Sequence, residues 1–572
     1  GGDAATRREP SDLTAGDRVP ALESMAGQGV DVLVIGGGIT GAGVALDAAS
    51  RGFRVGLVEQ GDFAQGTSSR STKLVHGGLR YVPQFDFGLV GEALHERARL
   101  IGNAPHLVRP LPFVVPLYDD LRKPLGMRLP AGARPLVPLA SRIGLWVYDA
   151  LAGQGPLARH RPLDLREAFA LVPYLRRRGL RGALLYYDAG TDDVRLTLAV
   201  LRTAARFGAL CVNYARAVRL VRQDGRIAGA EVEDVLEGGN YRIPARWVVN
   251  AAGVWAGEVA RMAGGAPLRL LASRGVHLVL PAELVGISTA ALVLPETEDG
   301  RLAFVVPWEG RAVVGTTDTP YEGPLDTPPV TADDVAFLLR HARRFLEIQL
   351  DEADVLGAFA GLRPLVGEGS HSADVSRRHA VVRHEPGLLS ILGGKLTTYR
   401  RMAEDVVDVI AGEAVARAAC RTHTLTLVGG EEPQSWQGLL RDAVRAGVLP
   451  AVARRLVAAY GAELRRLLEL GRSDPHLLEP LAPEVPYLGA EVVLACRTTM
   501  AARLADVMDR RLHLAVTCAD GGLGVAGKVA DLMAAALGWT AARRDEELER
   551  YRSEVRGGLR HELAAARGKR EG

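Results

Sequence analysis

The chain contains few cysteines, and their spacing excludes two classes of protein. Only four occur in 572 residues, widely separated and without a CxxC pair. This spacing argues against a disulfide framework and against a cysteine metal site, so reduced core thiols of a cytosolic protein are expected. The four are Cys211, Cys420, Cys496 and Cys518.

Long apolar runs and a strong excess of charge are also absent. No stretch of about 18 uninterrupted apolar residues occurs, so no transmembrane helix is predicted. The formal net charge of +3 is small for this length and gives no basis for nucleic-acid binding. Residues 1–29 mix charged residues, glycine and proline without the apolar core of a signal peptide, and we expect a disordered tail there.

The most informative segment is residues 30–59, VDVLVIGGGITGAGVALDAASRGFRVGLVE. Its order predicts a strand, a tight turn, a helix and a second strand. Gly36 permits the turn, Gly38 lets the backbone approach a pyrophosphate, and Gly41 permits close helix packing. Glu59 ends the second strand, where it can accept hydrogen bonds from a ribose. We interpret this segment as a dinucleotide site, because a glycine-rich turn without a ligand would leave the terminal acid unexplained.

The rest of the chain predicts an interleaved α/β protein. Its length implies two or three domains. Alternating apolar runs between about 272 and 320 predict an antiparallel sheet, and the pattern from about 418 onwards is helical. The expected parts are a disordered tail (1–29), a discontinuous Rossmann-like nucleotide-binding domain (30–110, 182–272 and 354–415), a mainly antiparallel substrate or cap domain (111–181 and 273–353) and a helical C-terminal domain (416–572).

Interleaving favours a flavin over a nicotinamide, because a flavin is also held at its isoalloxazine end, often by segments far along the chain. Three later segments have that character: NAAGVWA (250–256), GAFAGLRPLVG (357–367) and LGGKLTTYR (392–400). In the last, a Gly-Gly turn precedes Lys395 and a helix start, with Thr397 and Thr398 as candidate caps. A helix N-terminus with Lys395 is suited to the N1–C2=O edge of a flavin. Taken singly, each segment is as well explained as a structural turn.

A second polar cluster spans residues 67–82, TSSRSTKLVHGGLRYV. Its hydroxyl residues, led by Thr67 and Ser68, can bond to pyrophosphate or flavin. The cations around its Gly-Gly pair indicate an anionic ligand in a chain that is otherwise nearly neutral. Arg80, Arg363 and Arg377 could clamp a phosphate through forked hydrogen bonds. A lone histidine such as His76 is more often a structural residue, but its cationic neighbours favour a functional one.

Together these segments resemble the FAD-dependent, respiratory-type glycerol-3-phosphate dehydrogenase family, within the D-amino-acid-oxidase-like flavoproteins. The matching motifs are IGGGITGAG, TSS, KLVHGGLRY, NAAGVWA, VVPWEG, VVGTTDT, GLRPL, GGKLTTYRRMAE and, in the helical tail, RLADVMDRRL. They extend over nearly everything beyond residue 29. KLVHGGLRY and GGKLTTYR are the most specific of them, whereas the glycine fingerprint is widely shared.

The resemblance implies oxidation of sn-glycerol 3-phosphate to dihydroxyacetone phosphate by hydride transfer from C2 to FAD, with electrons passed to quinone. A base must take the hydroxyl proton; His76 is our first candidate, because imidazole titrates near neutral pH. Lys395 would serve if its pKa were lowered, and Arg363 is expected to stabilise alkoxide charge. The implied substrate-binding residues are Arg80, Tyr81 and Arg377, the last preferred to Arg378 although the spacing there is irregular. The implied cofactor residues are Gly36, Gly38, Gly41, Glu59, Thr67, Ser68, Gly253, Gly394, Lys395, Leu396 and Thr397.

The sequence also indicates a segment that could contact a membrane surface. Residues 121–148 contain five basic residues and no acid, interleaved with apolar ones. This pattern suits an anionic bilayer surface as well as a solvated cap-domain loop. With the resemblance, it predicts a cytoplasmic protein at the inner face of the cell membrane. Non-covalent FAD is expected, no metal and no nucleic acid; the oligomeric state stays open, with a homodimer as one candidate.

Three other functions are consistent with the same fold. A glycerol-3-phosphate oxidase would pass its electrons to oxygen, and the sequence does not separate it from a dehydrogenase. An amine or amino-acid oxidase would bind a carboxylate and an uncharged amine, for which three converging cations are an excess. A non-catalytic flavoprotein would be expected to have lost several of His76, Arg80, Arg363 and Lys395, and all four are present.

Overall fold

The computed structural model describes residues 8–84, 86–121, 137–153, 155, 157–264, 268, 270–297, 302–366, 379–413 and 418–557. Within these ranges, the side chains of Arg80, Pro83, Gln84, Val137, Pro138, Ala140 and Val366 lie outside the description. The strands are β1 (Val30–Ile35), β2 (Val55–Val58), β3 (Leu74–Val75), β4 (Arg109–Tyr118), β5 (Arg161–Leu163), β6 (Leu180–Gly190), β7 (Leu210–Val212), β8 (Ala215–Gln223), β9 (Arg226–Asp234), β10 (Asn240–Asn250), β11 (Leu270–Pro281), β12 (Ala291–Leu294), β13 (Ala303–Trp308), β14 (Arg311–Gly315), β15 (Thr319–Tyr321), β16 (Gly357–Val366), β17 (Ala380–Glu385), β18 (Leu388–Leu392), β19 (Pro480–Ala482) and β20 (Val485–Leu488).

The helices are α1 (Arg18–Gln28), α2 (Ile39–Ser50), α3 (Phe87–Asn103), α4 (Val137–Ala152), α5 (Leu165–Leu171), α6 (Asp193–Arg206), α7 (Ala256–Arg261), α8 (Ala282–Val285), α9 (Ala332–Phe345), α10 (Tyr399–Gly412), α11 (Trp436–Arg445), α12 (Pro450–Tyr460), α13 (Leu464–Ser473), α14 (Gly489–Thr498), α15 (Leu514–Thr517), α16 (Leu523–Leu537) and α17 (Ala541–Arg556). In the part of the chain described here, none of them is both long and apolar enough to cross a membrane.

The first sheet holds the glycine fingerprint. Its strands run in the order β17-β18-β10-β1-β2-β7, with β8 and β9 attached through β10. The strands β7, β2, β1, β10 and β18 are mutually parallel where they pair. The apolar strands β1 and β2 are buried almost throughout, and α2 packs between the sheet and the helices α6 and α10. This confirms the Rossmann-like domain, whose parallel strands all end at one edge.

The second sheet is mainly antiparallel, as predicted. Its order is β15-β11-β14-β13-β12-β4-β6-β3, with β16 paired to β11 and β5 to β6. Three of its strands, β3, β6 and β16, fall mainly in segments that the sequence assigned to the nucleotide-binding domain. Sequence position could not show this, because these strands pair with strands from distant parts of the chain. The boundaries otherwise remain a prediction.

The segment beyond residue 418 is helical, which agrees with the predicted C-terminal domain. It contacts the first domain through buried ion pairs rather than through apolar surface alone. Asp62 pairs with Arg511, and Asp12 pairs with Arg466 at 2.7 Å, all four side chains being almost fully buried. Breaking one partner of such a pair costs several kcal/mol, so the two domains are held in a fixed relation.

The prediction of a disordered tail over residues 1–29 is wrong for residues 8–29. Helix α1 buries Leu22 and Met25 completely, and Arg18 forms a buried ion pair with Asp234 at 2.6 Å. The mixed composition concealed three apolar residues on one helical face, Ala21, Leu22 and Met25. Residues 1–7 lie outside the described chain.

Candidate active site

A cavity of about 390 Å³ lies between the two sheets. Its walls come from the carboxyl ends of β1, β2, β10 and β18 on one side and from β11 and β16 on the other. Ligands of open α/β sheets bind at the carboxyl ends of the parallel strands. The cavity therefore lies where the fingerprint predicts a ligand, and the second sheet closes it.

Two of the fingerprint positions require glycine because another part of the backbone approaches them closely. Gly36 has φ +118°, and a Cβ there would lie 2.5 Å from the carbonyl oxygen of Ala251. A Cβ on Gly41 would lie 1.9 Å from the Gly36 carbonyl oxygen. Gly38 lines the cavity at the N-terminus of α2. The helix N-terminus and these bare backbones form a cradle that fits the pyrophosphate of a dinucleotide.

Polar residues around the turn hold its shape. The Ser68 hydroxyl accepts a hydrogen bond from the Ile39 amide at 2.9 Å. The Thr67 hydroxyl donates to the Leu362 carbonyl at 2.6 Å and so ties this loop to β16. The Glu59 carboxylate accepts from the amides of Gly37 and Gly61 at 2.7 and 2.8 Å. Glu59 lines the cavity, and its burial raises the pKa of its carboxyl group.

The two most specific motifs meet at His76. The Thr397 hydroxyl accepts from the His76 amide at 3.1 Å and lies 3.2 Å from the His76 carbonyl oxygen. Thr397 and Thr398 were predicted as candidate helix caps. Thr398 occupies the N-cap position of α10 but makes no side-chain cap bond there, and the prediction is wrong for Thr397, which caps neither α10 nor the 3₁₀ turn at 396–398. For Thr397, a partner 321 residues away takes the place of the local one. His76 itself lines the cavity.

Lys395 enters the cavity from the Gly393-Gly394 turn. Both glycines have positive φ, and a Cβ on Gly394 would lie 2.3 Å from the Met402 sulfur. The Lys395 ammonium lies 4.2 Å from the centre of the Tyr81 ring, a cation–π contact. Leu396 and Thr397 complete this wall of the cavity, and Gly253, with φ +57°, contributes to another.

Arg363 reaches the cavity from β16 and is fixed in place. Its guanidinium donates to the Thr316 hydroxyl at 2.9 Å and to the Asp318 carboxylate at 3.1 Å. A Cβ on Gly275 of the neighbouring strand would lie 2.4 Å from Nη2 of Arg363, so glycine makes room for the guanidinium. A cation held in this way is ready to bind an oxyanion without reorganising.

His277 and Arg70 are among the cavity residues that the sequence did not indicate as functional. The His277 ring stacks on Phe359 with centroids 4.9 Å apart, and its Nε2 lies 2.9 Å from the Thr72 hydroxyl. Burial, helped by the charges of Arg363 and Lys73, lowers the pKa of His277 well below its usual value. A neutral imidazole is therefore present at neutral pH. The available signal was a histidine inside the apolar strand VHLVL.

Not every predicted residue belongs to the described lining of the cavity. The side chain of Arg80 and the whole of Arg377 lie outside the described residues. Lys73, part of the same basic cluster, is turned away into a buried ion pair with Asp193 at 2.7 Å. Tyr81 is buried beneath Lys395. The described site thus brings His76, Arg363 and Lys395 to one cavity with the glycine cradle.

Comparison with known proteins agrees with this arrangement. A family model described as "FAD dependent oxidoreductase" matches residues 31–400. A second, described as "C-terminal domain of alpha-glycerophosphate oxidase", matches residues 420–544. The two together span nearly all of the described chain.

Similar whole proteins are found at moderate identity. "Glycerol-3-phosphate dehydrogenase 2" of Mycobacterium tuberculosis is 38% identical over 551 residues, covering 95% of this chain and 91% of that protein. The mitochondrial glycerol-3-phosphate dehydrogenase of Mesocricetus auratus is 36% identical, covering 91% and 72%. A crystal structure of glycerol-3-phosphate dehydrogenase from Bacillus halodurans complexed with FAD is 29% identical, with a TM-score of 0.77 and coverage of 96% and 98%.

Proposed function

Since the chain belongs to the FAD-dependent glycerol-3-phosphate dehydrogenase family, we propose that it oxidises sn-glycerol 3-phosphate to dihydroxyacetone phosphate and passes the electrons to quinone. FAD is its cofactor. The observation that carries the proposal is the convergence of Arg363, Lys395 and His76 on the cavity that the fingerprint glycines line. Two cations beside an imidazole suit a substrate that has both an anionic group and a hydroxyl to be deprotonated.

The proposed roles follow from these side chains. Bound FAD supplies the acceptor for the hydride that leaves C2. His76 takes the proton of the C2 hydroxyl, so that the C2–O bond becomes a carbonyl as the hydride departs. Arg363, held by Thr316 and Asp318, stabilises the negative charge that develops on that oxygen. Lys395 supplies positive charge at the cofactor wall.

The phosphate end of the substrate needs further cations and hydrogen-bond donors. We propose Arg80, Tyr81 and Arg377 for it, on the strength of the sequence motifs, and we add Arg70 because it lines the cavity. Forked guanidinium groups match the oxygens of a phosphate better than an ammonium does. An amine or amino-acid substrate carries less negative charge than a phosphate ester, so this set of cations would bind it weakly.

Anaerobic mixing with sn-glycerol 3-phosphate tests the substrate. The purified, FAD-loaded protein should lose its oxidised-flavin absorbance rapidly with this compound and should keep it with plain glycerol. A flavin that stays oxidised with the phosphate ester would refute the assignment. In the same assay, His76→Ala should slow flavin reduction; reduction at the wild-type rate would remove His76 from the role of base.

The electron acceptor distinguishes a dehydrogenase from an oxidase. We propose quinone, so the reduced protein should be reoxidised by a soluble quinone under anaerobic conditions. Peroxide formed in air in step with substrate turnover would instead favour the glycerol-3-phosphate oxidase. A homodimer remains a prediction from the sequence.

We also propose that the protein contacts an anionic bilayer through residues 121–148, at the inner face of the cell membrane. Within the described part of this segment, α4 exposes Leu139, Ile143 and Trp146 with exposed fractions of 56%, 55% and 66%. They recur every three or four residues, so they share one helical face. Arg142 is exposed on the same helix, and the basic residues of 122–134 precede it. Apolar side chains beside cations suit a headgroup boundary.

Flotation with vesicles of phosphatidylglycerol and phosphatidylcholine tests this contact. Wild-type protein should float at low salt, and Ile143→Glu or Trp146→Glu should remain at the bottom. Leu449→Glu is the matched control, because Leu449 is 62% exposed in the connection between α11 and α12. This substitution should not change flotation. Equal flotation of all variants, or none by the wild type, would refute the contact.

A further inference from the structure

The main-chain amide of Gly77, the residue after His76, is held by a buried group of side chains outside the cavity. Gly77 donates to the Tyr148 hydroxyl at 2.9 Å and to the Asp188 carboxylate at 3.2 Å. The Tyr148 hydroxyl in turn donates to Asp188 at 2.8 Å. Arg97 pairs with the same carboxylate at 2.5 Å. None of these side chains is more than 3% exposed.

This group leaves the loop little freedom. A Cβ on Gly77 would lie 2.5 Å from the Tyr148 hydroxyl oxygen and 2.4 Å from Leu94. Gly78 follows with φ +80°, and a Cβ there would collide with the Tyr81 ring at 2.6 Å. Both glycines of this segment are thus closely packed against other side chains. The position of the segment therefore depends on residues outside it, such as Tyr148 and Leu94.

His76 is therefore fixed from two directions. Thr397 bonds to its amide on the side of the nucleotide-binding domain. On the other side, the amide of Gly77 donates to Tyr148 of α4 and to Asp188 of β6. A change on either side moves the imidazole relative to Lys395 and Arg363, and small displacements at a reacting group cost large factors in rate.

We propose that Tyr148 is a positioning residue for the oxidation, acting through the Gly77 amide on the imidazole of His76. The expected effect of Tyr148 on the reaction rate rests on the proposed function. Its expected effect on the position of the loop does not. Packing alone would be satisfied by phenylalanine, since the Tyr148 ring already lies in a cluster with Leu145 and Tyr186. The hydroxyl contributes something else: it accepts from Gly77 while it donates to Asp188. Removing it leaves the Gly77 amide only its longer bond to Asp188, at 3.2 Å, and takes one donor away from that buried carboxylate.

The test compares Tyr148→Phe with Tyr186→Phe. Tyr186 packs edge-on against Tyr148 with centroids 5.9 Å apart and is equally buried, but the Gly77 amide bonds to Tyr148 and Asp188 instead. We expect Tyr148→Phe to retain FAD and to lower the rate constant of flavin reduction at saturating substrate about tenfold. The apparent Kd for sn-glycerol 3-phosphate should change less than twofold, because the anion-binding cations are not touched. Tyr186→Phe should behave as wild type in both.

A substrate-free measurement separates this inference from the proposed function. Hydrogen exchange of the peptide covering residues 74–82, followed by mass spectrometry, should accelerate at least fivefold in Tyr148→Phe and stay unchanged in Tyr186→Phe. If wild-type flavin is not reduced by sn-glycerol 3-phosphate, the proposed function fails while the exchange result still decides whether Tyr148 holds the loop.

Three results would overturn the inference. The first is unchanged exchange in Tyr148→Phe. The second is a rate loss equal in the two variants. The third is a loss in Tyr148→Phe that appears in substrate affinity or FAD content rather than in the rate at saturation, which would indicate a merely structural role.

Discussion

Replacing Gly41 by alanine places one methyl group where the backbone leaves no space. The new Cβ would lie 1.9 Å from the Gly36 carbonyl oxygen, which belongs to the turn between β1 and α2. Real contacts of this kind lie beyond 3.0 Å, so the first turn of α2 must move away from the strand. Neither atom belongs to a flexible side chain that could rotate aside. The displacement must therefore disturb the cradle proposed for the pyrophosphate.

Two terms of opposite sign set the magnitude. Alanine is favoured over glycine within a helix by about 1 kcal/mol. Overpacking a buried, rigid contact costs about 1–3 kcal/mol, and displacing the amides at the helix N-terminus weakens cofactor binding further. We expect Gly41→Ala to be destabilised on balance and to be purified with little FAD.

Gly91→Ala is the matched control, because Gly91 also lies within a helix, α3, yet a Cβ there meets nothing within 4 Å. That variant should gain about 0.5–1 kcal/mol and keep its FAD. The assay is the flavin-to-protein ratio after purification, together with the apparent melting temperature. A Gly41→Ala protein with a full complement of FAD and the melting temperature of Gly91→Ala would refute the close-approach argument.

Three further predictions follow from other parts of the structure. Arg363→Lys should lower kcat/KM for sn-glycerol 3-phosphate about 10- to 100-fold, since lysine cannot reproduce the forked hydrogen bonds of the guanidinium group. The control is Arg383→Lys, which changes an exposed ion pair and should keep kcat/KM within about twofold. An equal effect of both substitutions would contradict the proposed role of Arg363. Burial lowers the pKa of His106 to about 3, so below the unfolded value of about 6.5 only the unfolded chain gains the proton. Between pH 6.5 and pH 5 wild type should lose about 1.6 kcal/mol more unfolding free energy than His106→Gln in urea titrations; parallel pH profiles would contradict this. Lys73→Met leaves the carboxylate of Asp193 buried without its cation and should cost about 3–5 kcal/mol in the same titrations; a wild-type midpoint would show that the ion pair contributes nothing.

Sequence alone predicted those parts of the site whose chemistry is local. The turn at Gly36, the helix after it and the strand ending at Glu59 follow from residue order within 30 positions. The Gly393-Gly394 turn before Lys395 is of the same kind. In each case the controlling interaction is within one or two turns of chain, where propensity and capping operate.

The parts that sequence did not predict depend on partners far along the chain. Helix α1 looked like a charged tail because the acid that neutralises Arg18 is 216 residues away. Thr397 looked like a cap because nothing nearby indicates that it bonds to His76. His277 was hidden in an apolar strand, and its place in the cavity depends on the pairing of β11 with β16. No pattern among neighbouring residues indicates that these residues meet in the fold.

The charges of the cavity also bear on its selectivity for a phosphate ester. Arg363 is partly compensated by Asp318 and Lys395 by the face of the Tyr81 ring, while His277 is kept neutral beside them. The described lining of the cavity holds four cationic side chains and three acidic ones, namely Arg70, Arg216, Arg363 and Lys395 against Glu59, Glu258 and Asp326. A phosphate brings about −1.5 to −2 charges at neutral pH, whereas plain glycerol brings none. The penalty for leaving buried polar groups unpaired lets a site reject an analogue that lacks one group far more strongly than apolar contacts could. Under the proposed function, the absence of flavin reduction with glycerol is as informative as its presence with the phosphate ester, because the two compounds differ only in the anionic group that these cations are proposed to bind.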